Sequence, residues 1–311
     1  MRVLRKLRRG GQALNARIFR DMLDYRHGWG YMRQMMKEIS PGLPFMKMHG
    51  LGNDFVVVDA RAQDRAITPA MARGIGDRHF GVGFDQLAVI SQGNTDPHLT
   101  FYNADGTLSA ACGNATRCIA RYLMDEAGKT QLRLTTDRGS LIAQDVGDTM
   151  VAVNMGHPQL GWAEIPLAQE MDTCALPLEG TPTATGMGNP HCTFFVDDVD
   201  AVDLETFGPE IENHPIYPQR TNVQVAQIIG PDHIRMRVWE RGVGITWASG
   251  SSSCATAVAA ARRGLTGRKV QIDLDGGTLF IDWREDGVWM TGPTMHVFDG
   301  ILTSAFLDSI T

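Results

Sequence analysis

The stretch that decides the fold reads FYNADG at residues 101–106 and CGNATRC at residues 112–118. An apolar strand, predicted over residues 98–102, runs into the turn pair Asp105-Gly106, and small residues then lead into an apolar helix predicted to about residue 124. Cys112 therefore lies at a helix N-terminus, where free amide N–H groups and the helix dipole favour negative charge. We expect its thiol, with an ordinary pKa of about 8.5, to be held partly as thiolate, as a candidate base or nucleophile. The alternative is a small buried residue that fills the junction between strand and helix.

A second copy of this arrangement lies in the other half of the chain. Residues 239–254 read WERGVGITWASGSSSC and again run from a strand through a glycine-rich turn into a small-residue helix, predicted over residues 255–263. Two facing helix N-termini form a clamp for an anion such as a carboxylate. A side chain at each helix start can then reach one face of the carbon next to that carboxylate. An amino-acid racemase or epimerase needs this geometry, but the second position is Ser249, where such chemistry calls for another thiol.

Composition limits the classes of protein that fit. The 311 residues suggest about two domains, and a hydrophobic content of 43% is ample for sizeable cores. No apolar run approaches the ~20 residues of a membrane-spanning helix. The formal charge of −6 gives no general basis for nucleic-acid binding. Five cysteines without regular spacing do not resemble a disulfide framework, so we expect a cytoplasmic protein.

The first residues differ from the rest of the chain, and we assign residues 1–44 to an N-terminal basic extension. Five arginines and lysines lie within residues 2–9, ahead of a weakly amphipathic stretch that Ser40-Pro41-Gly42 ends. An extension without function, for instance from a mis-assigned start codon, a real surface helix and a targeting or interaction segment all fit this composition.

The compact pattern begins at Phe45 and predicts two similar α/β lobes of the α+β type. Each has more antiparallel strands than helices, so we expect a mostly antiparallel sheet wrapped around one central helix, with the active site in the cleft between the lobes. We assign residues 45–157 to the N-terminal lobe and 158–298 to the C-terminal lobe. Residues 299–311 form a tail expected to pack on the N-terminal lobe. We expect no metal, because no ligand spacing supports one beside His191 and Cys192.

Several motifs in order resemble the diaminopimelate epimerase family. They are KMHGLGNDF at 47–55, FYNADG at 101–106, CGN at 112–114, GNPH at 188–191, ERG at 240–242 and TGP at 291–293. The resemblance covers about residues 46–300. It implies a cofactor-independent isomerase with two pseudo-symmetric lobes that interconverts LL- and meso-diaminopimelate in lysine and cell-wall precursor biosynthesis. It further implies a small amino acid as substrate, with no nucleic-acid or membrane partner, and we expect a homodimer.

The resemblance also implies roles for particular residues. Cys112 is similar to one of two catalytic cysteines, and Ser249 stands at the position of the other. The backbone amides expected to hold the reacting α-carboxylate belong to Gly113, Asn114, Gly250 and Ser251. The polar groups that match the family's substrate-holding residues are Asn53, Gln86, Asn103, Asn189, Asn222 and Arg241, and Arg241 suits bidentate pairing with the distal carboxylate. His191 and Glu240 match residues that support the reacting amino and carboxyl groups. Each asparagine taken singly is also explained by turn chemistry.

Three positions depart from the family pattern: Ser249, Ile245, where an acid is usual, and Ser252, where glycine is usual. An alcohol is a much weaker acid than a thiol, by ~7 pKa units. For a step that needs full ionisation, this difference sets an upper limit of ~10 kcal/mol on the free-energy cost of serine in place of cysteine. Three hypotheses stay open. The first is a working or weakened epimerase, which relays protons through Ser249 and water or is engineered from a cysteine-bearing parent. The second is a silent binder of diaminopimelate or a similar amino acid, and the third is a related isomerase with another substrate or one-base chemistry. We expect Cys254 to be a core residue of the second helix.

Overall fold

The computed structural model describes residues 42–63, 65–109 and 112–311. The strands of the first half are β1 (Gly42–Gly50), β2 (Asn53–Asp59), β3 (Gln86–Ser91), β4 (His98–Asn103), β5 (Leu108–Ser109), β6 (Gln131–Thr136), β7 (Gly139–Asp145) and β8 (Met150–Asn154). Helix α1 (Pro69–Gly76) joins β2 to β3, and α2 (Gly113–Ala127) joins β5 to β6.

The second half repeats this order. Its strands are β9 (Thr183–Gly186), β10 (Pro190–Phe195), β11 (Asn222–Gly230), β12 (His233–Glu240), β13 (Gly244–Thr246), β14 (Lys269–Leu274), β15 (Gly277–Arg284) and β16 (Gly287–Pro293). Helix α3 (Leu204–Glu212) joins β10 to β11, and α4 (Gly250–Arg262) joins β13 to β14. Strand β17 (Met295–Thr303) and helix α5 (Ser304–Ser309) end the chain.

Strand pairing shows that the two halves are equivalent. In the first half β2 and β3 are parallel, β3 and β4 antiparallel, and β4 and β6 parallel, followed by the antiparallel β6, β7 and β8. In the second half β10, β11, β12, β14, β15 and β16 repeat the same sequence of parallel and antiparallel pairs. The two halves join where β8 pairs antiparallel with β16. The prediction of two pseudo-symmetric lobes is therefore confirmed.

Each lobe wraps its sheet around one central helix. Apolar side chains of α2, among them Ile119 and Leu123, pack against those of β1, β2, β4 and β8. The small side chains of α4, among them Ala255 and Val258, pack in the same way against β11, β12, β14 and β15. Because alanine and serine dominate α4, the sheet can approach it closely on nearly all sides, and Cys254 is fully buried there as expected.

The chain ends meet on the first lobe. Strand β17 pairs antiparallel with β1 from Gly42 to His49, so the last strand of the chain extends the first lobe's sheet. Strand β1 already begins at Gly42, and Leu43 is buried, so the end of the segment assigned to the basic extension belongs to this sheet. The rest of that predicted extension, residues 1–41, lies outside the described residues.

The boundaries of the helices follow the sequence signals with one exception. Thr68 accepts the Met71 N–H with Pro69 in the first turn of α1, and Gly128, in the left-handed conformation, caps the end of α2. The prediction that the second helix begins at Ala255 is wrong, because the helix already begins at Gly250. Serine is a poor helix former, but in the first turn of α4 the Ser253 hydroxyl donates to the Ser249 carbonyl at 2.8 Å. In the part of the chain that the structure describes, no helix has the length and apolar character needed to cross a bilayer.

Gly292 in β16 provides a test of the packing between the lobes. A Cβ at Gly292 would overlap the Leu279 side chain and lie 3.1 Å from Arg117 Cζ, and both neighbours are buried. We expect Gly292→Ala to lower the free energy of unfolding by about 1–3 kcal/mol, measured by urea denaturation. Gly230→Ala is the matched control in a strand, because its Cβ would meet only His233 Cβ at 3.6 Å. Equal stability of the two variants would contradict the close approach of β16 to α2.

Candidate active site

Cys112 is the N-cap residue of α2. Its backbone is extended, with φ −142° and ψ 105°, and its Sγ accepts the Ala115 N–H at 3.4 Å. On the other side Sγ lies 4.0 Å from Asn53 Oδ1. The half-buried thiol is thus held at the helix start between α2 and β2.

The pKa of Cys112 does not follow the expectation from the sequence. The pKa of the Cys112 thiol is raised to about 12, mainly by burial of the thiol and to a smaller extent by the nearby Glu240 carboxylate. The Ala115 N–H and the positive charge of Arg117 oppose these effects without reversing them. The expectation that the helix N-terminus holds Cys112 partly as thiolate is therefore wrong, because desolvation of the anion outweighs the favourable groups.

Ser249 occupies the equivalent position on α4. It is the N-cap residue, with φ −132° and ψ 115°, and it is buried. Unlike Cys112, its side chain makes no capping hydrogen bond to a backbone N–H of its own helix. Its Oγ instead lies 2.9 Å from Glu240 Oε2 and 2.9 Å from Ser252 Oγ. Since a hydroxyl has one proton, donation to Glu240 leaves the Ser249 oxygen to accept from Ser252.

Glu240, the last residue of β12, explains why Ser249 leaves the helix uncapped. Burial raises the pKa of this carboxyl above its usual value, while hydrogen bonds from Thr246 and Ser249 lower it. Thr246 Oγ1 donates to Oε1 at 2.6 Å, so each carboxyl oxygen has one hydroxyl donor. A buried carboxylate without donors is costly, and this cost exceeds that of a missing helix cap.

The two helix starts meet at one methionine. A Cβ at Gly113, the first residue of α2, would lie 2.8 Å from Met290 Cε, and a Cβ at Gly250, the first residue of α4, would lie 2.8 Å from Met290 Sδ. Asn114 Nδ2 donates across the lobes to the Ala248 carbonyl at 3.4 Å and also to Asn53 Oδ1 at 3.1 Å. The first amides of two helices, which have no partner within the helix, are therefore brought together.

A buried chain of side chains leads from Ser252 to His191. Ser252 Oγ accepts from Gln224 Nε2 at 3.0 Å, and Gln224 Nε2 lies 3.1 Å from His191 Nδ1. His191 Nε2 lies 2.9 Å from Asn189 Oδ1. Burial, with the positive charges of Arg138 and Arg241, lowers the pKa of His191 to about 3, so the ring is neutral. Because the Gln224 amide is the donor to Nδ1, the proton is assigned to Nε2, which donates to Asn189.

The remaining predicted residues fall into three groups. Asn53 donates to Asp85 at 2.8 Å, beside Cys112. Asn222 joins the second lobe's residues, since its Nδ2 donates to the Pro190 carbonyl at 2.9 Å and its Oδ1 accepts the Arg241 N–H at 3.0 Å. Gln86 and Asn103 form a pair of their own at 3.1 Å, and no hydrogen bond within the described residues links that pair to the other predicted residues.

Sequence reasoning missed three residues of this region. Gln224 interrupts an apolar run in β11, and that polar residue in a buried strand was the available signal. Arg117 is fully buried, with Nη1 at 3.3 Å from Met290 Sδ, and its Nε and Nη2 have no hydrogen-bond partner among the residues that the structure describes. Arg138 follows β6 and donates through Nη2 to the Met187 carbonyl of the other lobe. Neither arginine carried a signal in the sequence.

Within residues 42–63, 65–109 and 112–311, no group of three or more histidine, cysteine or acidic side chains is placed to hold a metal ion.

The raised pKa of Cys112 predicts its reactivity. The thiolate is the nucleophile, so the rate of Cys112 alkylation by iodoacetamide in the free protein should keep rising about tenfold per pH unit up to at least about pH 10. Peptide mass mapping after timed alkylation measures that rate, and the Cys112→Ala variant identifies the modified peptide. A rate that levels off below about pH 9 would mean that the helix N-terminus governs the thiol after all.

Comparisons with known proteins agree with this geometry. The family model described as diaminopimelate epimerase matches residues 45–161 and 183–297. The chain is 52% identical over 271 residues to a diaminopimelate epimerase from Rhodospirillum centenum, covering 85% of this chain and 93% of the relative. It is 50% identical over 270 residues to one from Acidiphilium cryptum, covering 85% and 98%.

Solved structures share the fold at low identity. A predicted epimerase from Pseudomonas aeruginosa has a TM-score of 0.61 at 14% identity, covering 84% of this chain and 99% of its own. A hydroxyproline epimerase from Agrobacterium vitis, with bound trans-4-hydroxy-L-proline, has a TM-score of 0.61 at 13% identity, covering 84% and 90%. The match of the family model over both lobes, with two relatives at half identity or more, shows that this chain belongs to the diaminopimelate epimerase family.

Proposed function

We propose that this protein interconverts LL- and meso-diaminopimelate by removing the α-proton from one face of the carbon and returning a proton to the other. The observation that carries the proposal is the meeting of the two helix starts, each with an N-cap side chain, at Met290. The relatives at about 50% identity, which are named as diaminopimelate epimerases, support the choice of substrate. The reaction would supply the meso isomer to lysine and cell-wall precursor synthesis in the cytoplasm.

The α-carboxylate is held at the helix starts. Amides of Gly113, Asn114, Gly250 and Ser251 have no partner within their helices, and both dipoles point their positive ends at this place. When the α-proton leaves, the C–H electron pair moves towards the carboxylate, whose charge increases. Fixed N–H donors stabilise that charge without reorganisation, as in an oxyanion hole.

Cys112 is the base on one face. Its thiol must first lose its own proton to solvent water, and the positively charged amino group of a bound substrate favours that ionisation. The α-proton then forms an S–H bond at Cys112. Because the thiol of the free protein has a pKa of about 12, the thiolate is a strong base once formed.

Ser249 serves the other face less well. To return a proton, its O–H bond must break while the new C–H bond forms, and Glu240 Oε2 at 2.9 Å is placed to replace that proton when the carboxyl is protonated. Burial raises the pKa of Glu240, which favours the protonated form. Neutral His191 and Asn189 support the amino group of the substrate. The polar groups proposed for the rest of the substrate are Asn53, Gln86, Asn103, Asn222 and Arg241.

The direct test is α-proton exchange in deuterated water with purified LL- and meso-diaminopimelate, followed by NMR. We expect the wild type to exchange one isomer faster than it epimerises it, because the carbanion is reprotonated by Cys112. Cys112→Ala should abolish exchange and keep the fold. Cys174→Ala is the control, since Cys174 is a free thiol in the loop between β8 and β9. No exchange by the wild type with either isomer would refute the proposal, and normal exchange by Cys112→Ala would remove Cys112 from the mechanism.

A second test concerns the acid on the opposite face. Ser249→Cys places an acid of suitable pKa at the same helix start, so it should raise epimerisation in both directions by several powers of ten, each worth ~1.4 kcal/mol of barrier. Ser309→Cys in α5 is a control for the added thiol. A stereospecific assay of the three proteins measures the effect. If Ser249→Cys and the wild type turn over equally fast in both directions, another residue supplies the second proton.

A further inference from the structure

Two arginines from different lobes lie at the two ends of the segment that carries Asn189 and His191. Arg138 is in the turn between β6 and β7 of the first lobe, and its Nη2 donates to the Met187 carbonyl, immediately before that segment. Arg241 follows β12 of the second lobe and is bound to the segment through Asn222, which donates to the Pro190 carbonyl. Residues 187–191 are therefore bound to the guanidinium of Arg138 at one end and, through Asn222, to the backbone N–H of Arg241 at the other. The charges of both also lower the pKa of His191.

The chain makes room for Arg138 at Gly188. Gly188 has φ +76°, and a Cβ there would coincide with the Arg138 guanidinium. The Gly188 N–H donates to Gln159 Oε1 at 2.6 Å, which fixes the loop around this contact. The absence of a side chain at Gly188 therefore allows the Arg138 guanidinium to pack against the backbone of the second lobe.

Neither guanidinium has an acidic partner within the described residues. Other arginines outside the cleft do, for example Arg121 with Asp145 and Arg220 with Glu212. Arg138 keeps solvent access, yet burial of its guanidinium lowers the pKa of that group, and burial also lowers the pKa of Arg241. Arg241 uses one donor, Nη1, on the Gln219 carbonyl at 3.0 Å. A guanidinium has five N–H donors, so each of the two keeps donors for an anion.

We propose that Arg138 binds the distal carboxylate of the substrate from the first lobe, opposite Arg241 on the second lobe. This inference rests on the proposed function, in which the α-carboxylate occupies the helix starts and a second carboxylate must be held elsewhere. Two guanidinium groups hold a carboxylate through charge-assisted hydrogen bonds. Because the two come from different lobes, the distal carboxylate also ties the lobes together around the reacting carbon.

The arrangement makes Arg138 a specificity residue for dicarboxylates. Lysine is diaminopimelate with a hydrogen in place of the distal carboxylate, so it can use the helix starts but not the arginine pair. The loss of Arg138 should therefore weaken diaminopimelate binding and leave lysine binding unchanged. A merely structural role in holding the Gly188 loop would instead affect both ligands.

The test measures meso-diaminopimelate binding by titration calorimetry and kcat and KM by proton exchange, for wild type, Arg138→Met and Arg138→Lys. We expect Arg138→Met to weaken binding and raise KM by about ten- to a hundredfold, with kcat changed less than about threefold. Arg138→Lys keeps the positive charge but loses the planar pair of N–H donors of the guanidinium, so its affinity and KM should lie between those of the wild type and Arg138→Met. Arg263→Met is the matched control, because Arg263 also donates to a carbonyl, that of Thr181, outside the cleft.

The outcomes separate this inference from the proposed function. If the wild type binds diaminopimelate and exchanges its α-proton, and Arg138→Met binds diaminopimelate as tightly, only the proposed role of Arg138 is refuted. A fall in kcat with KM unchanged, or equal weakening of lysine and diaminopimelate, would assign Arg138 to the loop and overturn the inference. If lysine binds too weakly to measure, the split between KM and kcat decides. If the wild type binds no diaminopimelate, both proposals fall together.

Discussion

The antiparallel pairing of β8 with β16 is the contact on which the site depends. It joins the sheets of the two lobes, and it places Met290 opposite Val153 at the centre of the molecule. The first residues of both central helices are glycines that pack on Met290, so the distance between the two helix starts is set by a single side chain. Since neither glycine site has room for a Cβ, each helix start approaches Met290 more closely than any residue with a side chain would allow. A clamp for one carboxylate requires that closeness, because amide donors act only within hydrogen-bond distance.

The same contact buries a positive charge. Arg117 lies within α2 with no exposed surface, and its guanidinium is enclosed by Met290, Gly50 and Gly292, since a Cβ at either glycine would lie 3.1 Å from it. The two glycines belong to two of the motifs by which the family was recognised, and this packing gives a physical reason for both. A buried guanidinium without an anion is costly. Its charge lowers the pKa of Cys112, Cys118 and Cys254, so it offsets part of the desolvation that otherwise keeps these thiols neutral.

The sequence predicted those features that local chemistry controls. The turn at Asp105-Gly106, the helix start at Cys112 and the antiparallel strands of both lobes carry their signals within a few residues, and the structure contains them. It did not predict α3, which contains Pro209, or β17, whose partner β1 lies at the other end of the chain. Arg138 reads as a solvated turn residue, because only the tertiary fold brings the Gly188 loop to it. The prediction of a lowered pKa for Cys112 was wrong for the same reason, because a helix start can be recognised in a sequence and the burial around it cannot.

The two helix starts are alike in backbone and different in chemistry. Cys112 and Ser249 have nearly the same φ and ψ, yet the sulfur caps its helix while the hydroxyl turns to Glu240. A hydroxyl that donates to Glu240 directs its proton away from the helix starts, where we propose that the α-carboxylate binds. To face the substrate it must give up that bond. Thr246 still donates to Oε1 of Glu240, but Oε2 then keeps a partner only if it is protonated and donates to Ser249. The raised pKa of Glu240 makes that protonated form more accessible. In the mechanism that we propose, the Ser249 half of the site therefore depends on the proton of the Glu240 carboxyl group, whereas the other half depends on the Cys112 thiol alone.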